Sequence, residues 1–438
     1  MNRRERAFAL TIAGVHGVDH LLKRLFPPLV PIWGVVFGFP LWKLGVLMGA
    51  RTFGSAIGMT PMGHLSDRYD RRLLLPAGFA VIGAGVVAVA VVPLVGVLDV
   101  ELTIGSYTAS GEFLVMLLAM LATGLGSSVV HPTGYPLITA NVHEESKGKV
   151  LGLWGSASKF GDGAAPALVG ALLIVLNWKW ILAIVGLVGI GYAIALFVVL
   201  GRFETKPAGE TDAGTAAEET ASTDRDNREY LYPFIAVFAY FVIAIMAAGG
   251  VNVFLPEFIT STYGYRFSVA GISLTPESTA SFYYSALLII AGVAQLGTGE
   301  LADRYDKRSL IVVYLGVATA TLIALATISL SPVLLFVALV VLGTSLFGIN
   351  PARDGLVSDI TPPEREGRTF GYIWTGALLA SSVAPALIGY VGDVAGLRTA
   401  FLILAGGILL SAIPILLLMS DRVYVSIDET AAAEPEAD

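Results

Sequence analysis

The sequence predicts an all-α membrane protein: twelve transmembrane helices in two pseudo-symmetric six-helix bundles. Three observations carry that expectation. Of 438 residues, 55% are hydrophobic and only 14% charged, against about 25% charged in a soluble globular domain. Apolar runs long enough to cross a bilayer, roughly 20 residues each, recur along the whole chain. Finally, the stretch Gly63-His64-Leu65-Ser66-Asp67-Arg68-Tyr69-Asp70-Arg71-Arg72 returns almost unchanged as Gly299-Glu300-Leu301-Ala302-Asp303-Arg304-Tyr305-Asp306-Lys307-Arg308, 236 residues later (299 minus 63). A duplicated chain makes each half one structural unit, with function expected between the halves.

Spans are expected at about 8–36, 43–64, 73–96, 112–135, 149–174, 180–200, 232–256, 278–299, 309–330, 332–352, 368–391 and 399–419. The first follows a basic start, Arg3, Arg4 and Arg6, as a signal peptide would. His16, Asp19, His20, Lys23 and Arg24 arrive before any small-residue cleavage site, so it reads as a retained helix. The bundles are expected at 1–200 and 231–420. Residues 201–230, rich in Glu, Asp, Thr and Ala without apolar periodicity, read as an acidic cytoplasmic linker, and 421–438 as an acidic cytoplasmic tail. Lys and Arg gather after spans two (Arg68, Arg71, Arg72), four (Lys147, Lys149), eight (Arg304, Lys307, Arg308) and ten (Arg365, Arg368), and before span one. This bias puts both termini in the cytoplasm of a plasma-membrane protein.

The duplication runs beyond the decapeptide. His131-Pro132-Thr133-Gly134 ends span four, and Asn350-Pro351-Ala352-Arg353 ends span ten, 219 residues on (350 minus 131). Gly148 and Gly152 answer to Gly367 and Gly371, and Ala165-Pro166-Ala167 to Ala384-Pro385-Ala386, at the same spacing. A longer external loop after span three accounts for the change of register. Parallel six-helix repeats occur in one large class of secondary transporters.

The decapeptide, Gly-x-Leu-(Ser/Ala)-Asp-Arg-x-x-(Arg/Lys)-Arg, resembles motif A of the major facilitator superfamily (MFS), and it stands after spans two and eight as in that family. Asp70 and Asp306 depart from the family's usual Gly. The His-Pro-x-Gly end of span four, with Gly124 and Gly126 before it, resembles the fosmidomycin-resistance branch. The motif-B arginine of many drug–proton antiporters would fall near Met120 and is absent. The resemblance implies alternating access, a central cavity lined by span one, and a gating role for Gly63, Asp67, Arg68, Gly299, Asp303 and Arg304. Gly63 and Gly299 would permit close helix approach, and the two aspartates would meet a helix N-terminus. A purely topogenic role for the arginines is the competing reading.

Span one carries the most specific chemistry. His16, Asp19, His20 and Lys23 are spaced i, i+3, i+4, i+7 and share one face. A single charge at a helix centre costs roughly 2.5–3.5 kcal/mol, so these groups face a wet cavity, pair with one another, or both. Arg51 joins them from span two, and Lys159 and Asp162 from span five. Asp19 with His16 and His20 is a candidate proton-coupling group. An Asp19–Lys23 or Asp19–His20 pair that only stabilises the bundle is the alternative. Lys159 and Asp162 are expected to pair with each other, and His131 to make a helix-end hydrogen bond. Lys23 and Arg24 either enter the cavity or snorkel outward. The second half is expected to hold almost no interior charge and to offer Asn252, Tyr283, Tyr284, Gln295, Asn350 and Trp374.

Candidate substrate-binding residues are therefore Arg51, Lys23, Lys159, Asp162, Asn252 and Asn350. Their excess of cations favours a small organic anion. Other functions find little support. Cysteine is absent, so no thiolate metal site or disulfide exists, and no metal or cofactor is expected. No Gly-x-x-x-x-Gly-Lys-(Ser/Thr) loop occurs. Gly83-x-Gly85-x-x-Ala88 lies inside a span, where glycines serve packing rather than dinucleotide binding. Nucleic-acid binding has no basis. The expected function is a monomeric secondary transporter, not an enzyme, whose partners are a small molecule, protons and the bilayer. A facilitative uniporter, or a membrane sensor or enzyme that binds without translocating, are the alternatives.

Overall fold

The computed structural model describes residues 1–95, 101–104, 107–207, 224–269, 271–361 and 366–420. Most of the expected linker and the whole expected tail lie outside these residues. Helices fill every expected span. In the first half they are α1 (Arg3–Arg24) with α2 (Val30–Phe37), α3 (Leu41–Arg68), α4 (Arg71–Val95), α5 (Gly111–Ser127) with α6 (Val130–Asn141), α7 (Glu144–Leu172) and α8 (Trp178–Leu200). The second half holds α9 (Asp224–Thr262), α10 (Pro276–Arg304), α11 (Lys307–Thr327), α12 (Pro332–Leu342) with α13 (Asn350–Asp359), α14 (Glu366–Ala395) and α15 (Leu397–Leu417). Helix α9 starts inside the stretch read as linker.

Three spans are broken, each for a local reason. Pro27 and Pro28 lack an N–H, so α1 ends and a 3-10 turn, Pro27–Leu29, leads into α2. The fourth span breaks at Ser128 and Val129, just before His131-Pro132. The tenth passes through a π-turn, Gly343–Phe347, before Asn350-Pro351. The last two breaks are repeat-related. Asp306 accepts from the Ser309 N–H at 2.9 Å and caps α11, while Asp70 accepts from the Arg72 N–H at 2.9 Å at the start of α4. A capping carboxylate explains aspartate where the motif usually has glycine. Two hairpins supplement the helices: β1 (Glu101–Ile104) pairs antiparallel with β2 (Tyr107–Ser110), and β3 (Phe267–Val269) with β4 (Ile272–Leu274). The first occupies the long loop expected after span three.

Among the described residues, nine helical segments are long and apolar enough to cross a membrane. Helices α1, α3 and α7 are not among them; they carry most of the interior charges. Polar helices of this kind must be shielded from lipid. Leu187, Val188, Ile194 and Val198 of α8, by contrast, are exposed on the outside of the molecule.

Glycines set the closest packing. A Cβ on Gly161 would strike the Gly17 carbonyl, so α7 and α1 touch backbone to backbone. Gly124 of α5 likewise meets the Arg51 carbonyl of α3. One side of the molecule gathers the chain ends: His143 bonds Glu5, Asn141 bonds Glu204, and Arg308 bonds the Leu418 carbonyl. We call it the terminal side. The halves meet on the opposite side. There Gly45 and Gly49 of α3 abut the Pro385 and Ser382 carbonyls of α14. Asp393 accepts from the Leu41 and Trp42 N–H groups, both at 2.9 Å. In parallel, Ser285 of α10 donates to the Gly163 carbonyl of α7 at 2.7 Å, and Gly170 packs on Ser278 and Ser281. Following the same stripe of α7 toward the terminal side, Lys159 still meets Gly292, but a Cβ at Gly155, Gly152 or Gly148 would enter open space. The two halves are closed together on one side and diverge on the other.

Candidate functional site between the two halves

The tight α1–α7 approach brings the polar face of α1 onto Asp162. Its carboxylate accepts from Arg24 Nε at 2.8 Å and contacts His20 Nδ1 at 3.1 Å, and its side chain is 7% exposed. Arg24 Nη1 donates to the Tyr284 hydroxyl at 3.3 Å, and that hydroxyl donates to Asn252 Oδ1 at 3.2 Å. A continuous polar chain thus runs α7–α1–α10–α9, from the first half into the second.

A second group lies beside it. Asp19, buried, accepts from Ser127 Oγ of α5 at 2.6 Å. Arg51 is 5% exposed, and its Nε and Nη2 atoms have no partner among the described residues. Asp19 and Asp162 attract its charge and Arg24 repels it. Lys23 faces the same set, repelled by Arg51 and Arg24 and attracted by Asp162 and Asp19.

Several sequence expectations are corrected. Lys159 and Asp162 do not pair: Arg24 and His20 take the carboxylate, and Lys159 has no ion-pair partner among the described residues. Nor does Asp19 pair with Lys23 or His20, because Ser127 supplies its hydrogen bond. Arg24 turns inward instead of snorkelling. His131 packs its ring edge-to-face on His16, with centroids 5.0 Å apart, rather than tying a helix end. The second half does hold interior charge. Arg353 is 8% exposed, its guanidinium carbon 4.8 and 4.9 Å from the Phe241 and Trp374 rings, with Nε and Nη2 both 2.9 Å from Asp354 Oδ1. It stands one residue past the apolar run expected for span ten, where a basic residue reads as loop. Its aromatic partners lie on two other helices, so spacing gave no signal.

Asn252 is thus in the network, while Asn350 opens α13. The duplicated decapeptides sit at the terminal side. Asp67, Arg68 and Asp303 are exposed, and Arg304 pairs with Glu300 at 2.6 Å. Gly63 faces open space and Gly299 only Pro351, so the close approach expected at these glycines is not seen in this state. Ser66 and Arg71 do the anchoring: Arg71 Nε donates to Ser66 Oγ, which donates to the Pro132 carbonyl, each at 3.0 Å.

Two halves of repeated helices, touching on one side around a buried polar layer, define a multi-pass membrane transporter fold. A sequence profile described as Major Facilitator Superfamily matches residues 12–352 and 273–436. The chain belongs to that superfamily and is a transporter of an organic solute. It is 21% identical over 373 residues to the probable L-galactonate transporter of Escherichia coli (strain K12), covering 81% of this chain and 76% of the relative. It is 22% identical over 383 residues to the multi-drug resistance efflux pump PmrA homolog of Lactococcus lactis subsp. lactis (strain IL1403), with 84% of each covered. Its fold matches the crystal structure of a bacterial homolog of the human lysosomal transporter spinster, inward-facing and unoccupied, with a TM-score of 0.75. That match has 16% identity and covers 95% of this chain and 97% of the other.

Proposed function

We propose that the protein is a proton-coupled transporter of a small organic anion of the sugar-acid kind, working by alternating access. The observation that carries the anion reading is Arg51: a buried guanidinium whose Nε and Nη2 lack partners among the described residues, beside a carboxylate already bonded to serine. A buried donor left unsatisfied is costly, and a bidentate carboxylate is the ligand its fork suits best. Lys23 and Lys159 add positive charge, and a sugar acid's hydroxyls suit Tyr284, Asn252 and Asn350. The similarity to a probable L-galactonate transporter points the same way. Asp19 and Asp162, with His16 and His20, are the coupling groups. Protonating Asp162 would loosen Arg24, and with it the Arg24–Tyr284 link between the halves. In this reading the open terminal side faces the cytoplasm, and the bundles are the units 1–200 and 231–420.

The test is L-galactonate flux in proteoliposomes under an imposed pH gradient. Gradient-driven accumulation, lost at least tenfold in Arg51→Gln, is expected. Equilibration without accumulation would make the protein a uniporter, and flux indifferent to Arg51→Gln would remove the anion site.

A further inference from the structure

We infer that His20, His16 and His131 form a proton exit file leading from Asp162 to the terminal-side mouth at Tyr135. The inference rests on the proton-coupling reading above and deepens it by giving the proton a route. His20 contacts the Asp162 carboxylate through Nδ1 at 3.1 Å. Its ring meets that of His16 at 4.7 Å between centroids, nearly perpendicular, and His16 meets His131 at 5.0 Å, also nearly perpendicular. His131 then stacks on Tyr135 at 5.9 Å, and Tyr135 is 51% exposed. The file draws on α1 and α6, two elements that the sequence could not bring together.

His16 is the decisive member. Its Nδ1 lies 2.9 Å from the Trp154 carbonyl. A carbonyl only accepts, so Nδ1 carries the hydrogen and Nε2 is left with a lone pair. That Nε2 is buried with no partner among the described residues, in a side chain stacked at 4.2 Å on Trp154. A purely structural histidine would leave this acceptor unsatisfied at a cost; a relay histidine needs it vacant. The other charged groups around the file are Asp19, Lys23 and Arg24 from α1, Asp162 and Lys159 from α7, and Asp354 from α13, which acts on Tyr135. Carboxylates thus stand at both ends of the file.

Transfer conserves protons and charge at each step. With Asp162 protonated and His20 in its Nε2–H tautomer, the proton passes to His20 Nδ1 and His20 gives up its Nε2 proton to His16 Nε2; a flip of the His20 ring then resets it for the next proton. His16 keeps its bond to Trp154 and releases the new proton from the same Nε2 to His131, which passes one to water at the Tyr135 mouth. A rotation of the His20 or His131 ring, or one bridging water, closes each gap while His16 stays fixed. Each ring gains one proton and loses one.

Two measurements test the file. In the proteoliposome assay, His131→Phe keeps the ring packing but removes the nitrogens. Gradient-driven L-galactonate accumulation is expected to fall at least tenfold, while L-galactonate counterflow, which needs no net proton movement, stays within about twofold. Equal loss of both, or of neither, overturns the inference. Absence of gradient-driven accumulation in the unsubstituted protein instead defeats the coupling reading. The second measurement needs no substrate. In protein labelled with 15N-histidine, His16 is expected as the Nδ1–H tautomer, with exchange-broadened Nε2 signals at His16, His20 and His131 and sharp ones at His64 and His143. His131→Phe should sharpen His16. A sharp His16 signal in the unsubstituted protein, or an Nε2–H tautomer, overturns the file.

Discussion

Asp162 has two hydrogen-bonding neighbours from one helix, and removing its charge strands the arginine. Arg24 is bonded to it at 2.8 Å with little exposure. Breaking such a buried pair from one side typically costs roughly 3–5 kcal/mol, because the remaining charge stays desolvated. Asp162→Asn should therefore lower thermal stability strongly, whereas Asp162→Asn with Arg24→Gln should recover part of the loss. Additive losses in a thermal-shift double-mutant cycle would mean that the two do not interact. Much of this chemistry was legible in the sequence, since four ionisable groups at i, i+3, i+4 and i+7 have no bland place in a membrane helix. Partner choice was not. Lys159 stands three residues from Asp162 and looked like its partner, but i, i+3 neighbours meet only if no better donor approaches from another helix. The Gly17–Gly161 contact brings that donor, and it depends on register between α1 and α7, which no local pattern encodes.

Helix positions followed from apolar length, and their ends from proline and capping residues, so the element scale was the most readable. What the sequence did not distinguish is which glycines are structural. Helix α7 has glycines on both kinds of surface. Gly161 lies against the α1 backbone, while a Cβ at Gly152 would meet nothing within 4 Å. A side chain at the first must push two helices apart; at the second it enters open space. Gly161→Val should destabilise by about 1–3 kcal/mol or prevent folding, the usual penalty of overpacking. Gly152→Val should leave the melting temperature unchanged or higher, because valine suits a helix interior better than glycine. Equal behaviour of the two variants in a thermal-shift assay would contradict the α1–α7 contact. The same glycine contact positions the polar face of α1, so a tolerated Gly161→Ala would still be expected to weaken the His20–Asp162 and Arg24–Asp162 links.

At the scale of the whole molecule, the repeat is symmetric in its frame and asymmetric in its function. Both decapeptides fall at the terminal side, the two repeat-related breaks each precede a proline, and both halves contribute one member to each closing contact. Among the described residues the buried carboxylates and histidines belong to the first half, and Arg353 is the buried charge of the second. The duplication made the architecture legible but gave no hint of which state the halves adopt, because a side closes through backbone approach at glycines rather than through any motif. Here the closed side is held by Gly45 and Gly49 against the Pro385 and Ser382 carbonyls, with Asp393 bonding the α3 N-terminus. Asp67 and Asp303 are exposed at the open side. A Cβ at Gly49 has no room against backbone that cannot yield, so Gly49→Ala should pry the closed side open and populate the reverse arrangement. The chain has no native cysteine, so Gly152→Cys supplies a single reporter in the cavity between the halves. In proteoliposomes its labelling by a membrane-impermeant maleimide from the terminal side should be fast. Adding Gly49→Ala should slow it severalfold, because a rocking molecule cannot open one side without closing the other. Unchanged labelling, with the protein still folded, would mean that the two sides move independently and that rigid rocking of two halves is the wrong description.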